Sequence, residues 1–517
     1  MKRIFVLLSL VLLSVLIAFP IDVQAQPKYG GKLVIGVESD WQQLDPHKSK
    51  ATLEGNAFRL MCDCLVQADK NMKVKPYLAE SWETSPDGLV WTFHLRKGVK
   101  FHNGREFTAD DVKWNFERTM DPNIGATVRT RMLEVKECQV ADKYTAKFIL
   151  NRPSGSFLNA LWNPYSLSFQ MIAKECVDKD GKVTQPIGTG PFKFVEWKPN
   201  DYTRFVKNEN YWIKGLPYLD EIIIKPIPDA VVRLSALQSG DVDIARMLLV
   251  NEVAKLIKKP TPKTVCYLKE GFGWNEMVWI NTSKPPFNDV RVRQAMALGI
   301  DKKEIESAVT FGYGEVANQP FASNNYWKTN VPEKPRDVVK AKALLKEAGY
   351  PNGLDVTLLT SPAYPEWIAA STVIQEQVKD IGMRIKIEIT DWPAQIKKMT
   401  AKEFMIAFGA VAMYNDPEHL YRGYIVPGGP FAWIQGSAYN NPKVTEILDR
   451  AAKELDQEKR KVMYKQIVEL INEDYPWLMT FITPIGLGWR DHVKGYSPDQ
   501  VVFCWEGGGM QYTWLDK

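Results

Sequence analysis

The sequence predicts a mixed α/β protein organised around more than one core. Three observations carry this expectation. The chain has 517 residues, more than a single hydrophobic core normally organises. In its first half, apolar residues repeatedly alternate with polar ones at the two-residue period of a half-buried strand. In its second half, helix-period segments stop at glycine, and one of them leads straight into alternating isoleucines.

Taken in order, the chain opens with Lys2 and Arg3, an apolar stretch from Ile4 to Phe19, and the small or modest residues Val23-Gln24-Ala25. This is the pattern of a secretory signal cleaved after Ala25. The apolar stretch is short for a membrane anchor. A periplasmic mature chain is expected, and with the first cysteine at Cys62 there is none near the cleavage point to carry a lipid. Leu33 to Val37 reads as a buried strand, followed by a polar loop from Glu38 to Lys50; a strand feeding such a loop is a common way to build a ligand site. Trp91, Phe93 and Leu95 mark a half-buried strand, Asn103-Gly104 the turn after it, and Thr108 with Asp111 the start of a helix running to about Arg118. Tyr144, Ala146, Phe148 and Leu150 alternate again.

From Phe287 onward helices dominate. Asp289 caps one, and Asp301 with Glu304 signals another. A segment from Arg336 to Ala348 stops at Gly349. Trp367, Ser371, Ile374, Val378 and Ile381 share one helical face that ends at Gly382. Ile385, Ile387 and Ile389 then alternate with charged residues. No internal repeat and no long linker appears, so the domains are expected to touch closely.

Charge and motifs exclude several functions. The formal charge is +5 for the full sequence and +4 without Lys2, Arg3 and Asp22, with both signs interspersed, so nucleic acid is not expected as a partner. None of the five histidines, His47, His94, His102, His419 and His492, falls in a metal-binding spacing. There is no GxSxG elbow and no phosphate loop; Gly188-Thr189-Gly190 lacks a third glycine and Gly507-Gly508-Gly509 lacks a following helix. Asp110-Asp111 and Asp220-Glu221 read as cap and surface groups. The expectation is therefore a protein that is not an enzyme and needs neither cofactor nor metal. The six cysteines, Cys62, Cys64, Cys138, Cys176, Cys266 and Cys504, read as buried thiols or isolated disulfides, with pairing left open.

Longer blocks are more specific. The run Tyr77-Leu78-Ala79-Glu80-Ser81-Trp82 is followed by Trp91 to Gly104 (WTFHLRKGVKFHNG) and by Phe107-Thr108-Ala109-Asp110-Asp111-Val112. Leu44-Asp45-Pro46, Gly188 to Phe192, Asn208 to Trp212, Leu237 to Ile244, and Phe287 to Asp301 complete the series. In these blocks the chain resembles bacterial extracellular solute-binding protein family 5, the peptide, nickel and oligosaccharide receptors of ABC importers. The resemblance spans nearly the whole mature chain. It implies a two-lobed periplasmic binding protein fold of the large three-subdomain type, with a hinge between the lobes. Lobe I would comprise residues 26–270 and 488–517, including a family-specific subdomain at roughly 50–185, and lobe II residues 271–487. It further implies a monomer that captures a peptide or other small polar solute and docks on ABC permease membrane subunits, or reports the ligand to a membrane receptor.

The resemblance also nominates ligand-binding loops: Asp40, Trp41 and Gln42; Trp274 and Asn275; Tyr364; Met413, Tyr414, Asn415 and Asp416; and Trp433. Aromatic faces stack on a solute while Asn and Asp orient it. One position departs from the pattern. Peptide receptors similar to this chain hold the ligand's α-amino group with an Asp three residues before an Asp/Glu-Pro pair; here the pair is Asp416-Pro417 and the position is Met413. A thioether cannot pair with an ammonium. Peptide binding would then need Asp416, Glu418 or Asp40 as a substitute anchor, and an oligosaccharide or another non-peptide solute is the alternative. Metal or metal-chelate import would call on carboxylates at the site or on His419, which is expected at the surface.

Overall fold

The computed structural model describes residues 26–49, 52–69, 73–162, 168–271, 273–362, 364–411, 414, 416–429, 431–432, 439–497 and 509–517. Met413, Asn415, Trp433 and Cys504 lie outside these, as does the expected signal segment.

Three sheets organise the chain. The first has seven strands, in the order Thr264–Lys269, Ile485–Arg490, Ile244–Leu248, Lys32–Val37, Glu221–Pro226, Tyr202–Lys207 and Phe192–Lys198. The second has six, in the order Glu315–Val316, Trp477–Ile482, Asn275–Ile280, Ile406–Val411, Leu354–Thr360 and Met383–Ile389. The third is a four-stranded antiparallel sheet of Ala79–Thr84, Val90–Leu95, Thr145–Leu150 and Val135–Asp142. Together they make a two-lobed α/β molecule in which the third sheet has its own aromatic core.

That core follows from the alternation. Phe93 and Phe148 face the same side of adjacent strands and meet edge to face at 5.6 Å, a favoured aromatic geometry. The helix Ala109–Met120 covers them with Val112 and Phe116. Its start is fixed as the sequence suggests: an Asp111 carboxylate oxygen accepts from the Thr108 N–H at 2.9 Å. In the second lobe, Asp289 and Asp301 cap the helices Val290–Leu298 and Lys302–Thr310. Trp367, Ser371, Ile374 and Val378 form the buried face of the helix Pro365–Lys379. The isoleucine alternation fades at the sheet edge, where Ile389 is exposed. The strand Asn275–Ile280 is buried on both faces, so its sequence after Glu276 is continuously apolar. Met277 and Trp279 enter one core, and Val278 and Ile280 the other. The Trp279 ring lies directly on Gly409, where a Cβ would come within 2.5 Å of it.

The chain leaves the first sheet at Lys269, enters the second at Asn275, and returns between Ile482 and Ile485. The return was expected near 488, but the strand Ile485–Arg490 pairs along its length with Thr264–Lys269 of the first sheet. The two crossing segments are bonded to each other: the Trp274 N–H donates to Thr483 Oγ1 at 2.8 Å, and the Thr483 N–H donates to the Trp274 carbonyl at 3.0 Å. Gly273 permits this approach, since a Cβ there would sit 1.9 Å from the Thr483 carbonyl oxygen.

A second contact joins the lobes at the third sheet. The Gly155 N–H donates to the Ala452 carbonyl at 2.8 Å, and the Gly155 carbonyl accepts from Arg460 at 2.8 Å. A Cβ on residue 155 would lie 2.0 Å from the Glu454 carbonyl oxygen, so only glycine fits.

Cys62, Cys64, Cys138 and Cys176 are buried free thiols and Cys266 is half-buried. Burial pushes Cys64 and Cys138 to about 12 and Cys176 to about 11, and raises Cys62 well above its ordinary value. These four are expected to react with a thiol reagent at pH 8 at least ~100-fold more slowly in the native protein than in urea, because the thiolate is the nucleophile. Rapid native labelling counted by mass spectrometry would show that this part of the core opens.

Candidate functional site

The seam between the lobes is lined from both sides, and the nominated residues divide into those the fold uses and those it leaves open. Asp40 belongs to the first group. Its carboxylate accepts from the Asn200 N–H at 2.6 Å, from the Trp197 indole N–H at 3.1 and 3.2 Å, and from the Trp41 N–H at 2.8 Å. It ties its loop to the neighbouring hairpin. Trp41 is a core residue, meeting Phe58 edge to face at 4.9 Å, while Gln42 is exposed and donates its N–H to Glu54. In this loop the sequence signal of polar groups beside an aromatic marked an internally bonded turn.

Asp416 is fully buried. One carboxylate oxygen accepts from the Glu418 N–H, capping the helix Pro417–Tyr424, and from Arg460 at 2.9 Å; the other accepts from Arg460 at 2.9 Å and from the Asn159 amide at 2.7 Å. Asn159 comes from the short helix Phe157–Leu161 of the first lobe. Arg460 sits over the Trp327 ring and also bonds the Tyr464 hydroxyl. Glu418 pairs with Arg422 through one oxygen. Two of the three substitute anchors for an ammonium, Asp40 and Asp416, are thus engaged by protein groups, and the third already has a guanidinium beside it.

The open groups lie where the second sheet begins. Asn275 is fully buried, and neither atom of its side-chain amide has a hydrogen-bond partner among the described residues. Glu276 is also buried, on the opposite face of the strand, and both its oxygens lack such a partner. Burial, reinforced by the charge of Glu366, pushes the Glu276 carboxyl well above its ordinary value, and the nearby Trp367 opposes the shift only in part. Tyr364 stacks on Trp367 at 4.1 Å and is half-buried. Trp274 presents its ring to solvent at 41% exposure beside the crossing. Tyr414 packs edge to face against Tyr424 at 6.2 Å. His419 is half-buried, its Nδ1 sealed and without a partner among the described residues, not the surface residue expected, and burial pulls its pKa down to about 4. Sequence reasoning missed Asn159, Glu276 and Arg460, which stand alone in the chain without a motif.

Two lobes joined by paired crossing segments, with buried polar groups at the seam that lack partners among the described residues, are the architecture of a solute-binding receptor. The chain belongs to the bacterial extracellular solute-binding proteins, family 5, whose model matches residues 73–466. Heme-binding protein A of Haemophilus influenzae is 32% identical over 82% of this chain and 80% of that relative. Glutathione-binding protein GsiB of Pectobacterium atrosepticum is 30% identical over 88% of this chain and 89% of its own length. Among solved structures, HbpA2 from Haemophilus parasuis superposes with a TM-score of 0.81 at 27% identity, covering 94% of this chain and 100% of that one. The periplasmic binding protein DppA from Helicobacter pylori, in complex with the peptide STSA, gives 0.74 at 28% identity, covering 95% and 99%. No helix among the described residues is long and apolar enough to cross a membrane.

Proposed function

We propose that this chain is the periplasmic, substrate-capturing component of an ABC import system, exported with cleavage after Ala25, acting as a monomer and handing a small polar solute to membrane permease subunits. It performs no catalysis and binds no nucleic acid. The observation that carries the reading is the Asn275 amide, sealed and without a partner among the described residues, at the first residue beyond the lobe crossing. A buried amide without partners is costly, and a solute bound at the seam would satisfy it. Such a solute touches both lobes, and only differential contact of that kind shifts an open–closed equilibrium. The crossings at 270–274 and 483–484 would then act as the hinge, with lobe I formed by both chain ends.

The relatives bind heme, glutathione or peptides by their names, so peptide-like and chelate-like solutes are the first to test. Thermal unfolding of the mature protein against free di- to pentapeptides, N-acetylated peptides, neutral oligosaccharides and nickel chelates is the direct experiment. A ligand at about 100 times its dissociation constant adds roughly 2.7 kcal/mol. With Met413 at the amine-anchor position and Asp40 and Asp416 engaged, acetylated and free peptides are expected to stabilise alike. A shift by free peptides alone would show an ammonium anchor and overturn that part of the reading.

A further inference from the structure

Among the described charged groups that meet at the seam, a guanidinium nitrogen is left without a partner. Arg131 ends the short 3₁₀ turn Thr127–Arg131 of the first lobe, which the Thr127 hydroxyl fastens to the carbonyls of His47 and Ser49 at 3.2 and 2.7 Å. Arg131 is half-buried, but its Nη1 is shut off from solvent and has no hydrogen-bond partner among the described residues. Across the seam it lies within electrostatic reach of Tyr414, Asp416 and His419 of the second lobe.

The anions nearby each already face another guanidinium. Asp416 is held on both oxygens by Arg460. Glu134, three residues further on, pairs with Arg152. Glu418 pairs with Arg422, which also reaches Asp449. His419, pulled down to about 4 by burial, is neutral at ordinary pH and is no counter-anion. Burial pulls the Arg131 guanidinium down to about 10, the direction expected of a cation that is desolvated and only weakly compensated. A charge left in that state would be costly, and the remedy chemistry offers is a planar anion that accepts from the guanidinium fork.

We propose that Arg131 is the seat for a carboxylate of the imported solute, held at the seam between the 3₁₀ turn of the first lobe and Tyr414 and His419 of the second. This rests on the import-receptor reading and adds the ligand's chemical class: a solute with at least one free carboxylate, clamped from the first lobe while Tyr414 packs against it from the second. A neutral oligosaccharide would leave Nη1 as it is. Arg131 also gives the closed state a ligand-dependent element, because without the anion its buried charge opposes closure.

The test uses the mature protein, freed of small molecules by dialysis, and an aqueous small-molecule and peptide extract of bacterial cells. The extract is offered intact and after methyl esterification, which removes carboxylate charge, with thermal unfolding as readout. The intact extract is expected to raise the melting temperature and the esterified one to lose that effect. Arg131→Gln should need at least ~10-fold more intact extract for the same shift, with Arg131→Lys, which keeps the charge without the fork, falling between. If the esterified extract stabilises equally, or Arg131→Gln responds like the parent, the carboxylate seat is wrong while the receptor reading stands. If neither extract produces a shift, the receptor reading fails and the seat with it. Should Arg131→Gln not fold, esterification on the parent protein still decides.

Discussion

Arg460→Met is expected to destabilise the protein by about 3–5 kcal/mol, the usual cost of stripping one partner from a fully buried ion pair. Both side chains are 0% exposed, so no water can replace the lost guanidinium. Asp416 would retain only the Asn159 amide and the Glu418 N–H. The loss extends beyond the second lobe, because Arg460 also donates to the Gly155 carbonyl from the first. Two readouts should therefore move together: a lower urea midpoint, and a larger radius of gyration in small-angle scattering as the lobes part. The double variant Arg460→Met, Asp416→Leu should recover part of the stability, since two apolar groups bury without a stranded charge. A change below about 1 kcal/mol in the single variant would mean that solvent reaches this pair.

Glu276→Gln is expected to stabilise the protein relative to the parent, by an amount that grows as pH rises above 4.5. A carboxyl whose folded pKa is raised above its ordinary value of 4.5 contributes stability in full below that value and loses it as pH climbs toward the folded pKa. The slope is about 1.4 kcal/mol per pH unit for one group in that window. The raw curve for the parent mixes several titrations. Asp63, lifted by burial to about 6, slopes the same way between its ordinary 3.8 and that value. His47, His102 and His419, each lowered to about 4 by burial, slope the opposite way below their ordinary 6.5. The difference between parent and Glu276→Gln removes these and isolates the one carboxyl together with its coupling to Glu366. Superimposable pH profiles would show that Glu276 has a partner or is hydrated.

The elements were legible in the sequence because their causes are local. Thr108 with Asp111, Asp289, and Asp301 with Glu304 are caps that act within one turn, and the Trp367–Ile381 face is a period that any helix would bury. Sheet order and the site were not legible, for one shared reason. Asn159, Asp416 and Arg460 form a single cluster although the first two stand 257 residues apart, and no spacing rule connects them. Asp416 was nominated as a ligand residue from its loop, and its pairing inward is invisible without Arg460. Asp40 misled in the other direction, since a short acidic side chain in a polar loop serves its neighbours' N–H groups as readily as a solute's. Met413, the departure from the peptide-receptor pattern, is read from the sequence alone and lies outside the described residues.

The bonded pair of crossing segments at Trp274 and Thr483 bears on what a permease would sense. Two independent swivels would let one lobe twist and slide as well as swing, giving a continuum of outlines for every occupancy. Laced side by side through Trp274 and Thr483, at a distance that Gly273 permits, the segments would behave as one strap with a single soft direction. Occupancy is then written on one coordinate, and a docking surface that spans both lobes needs to gauge only their separation, whatever solute lies between them.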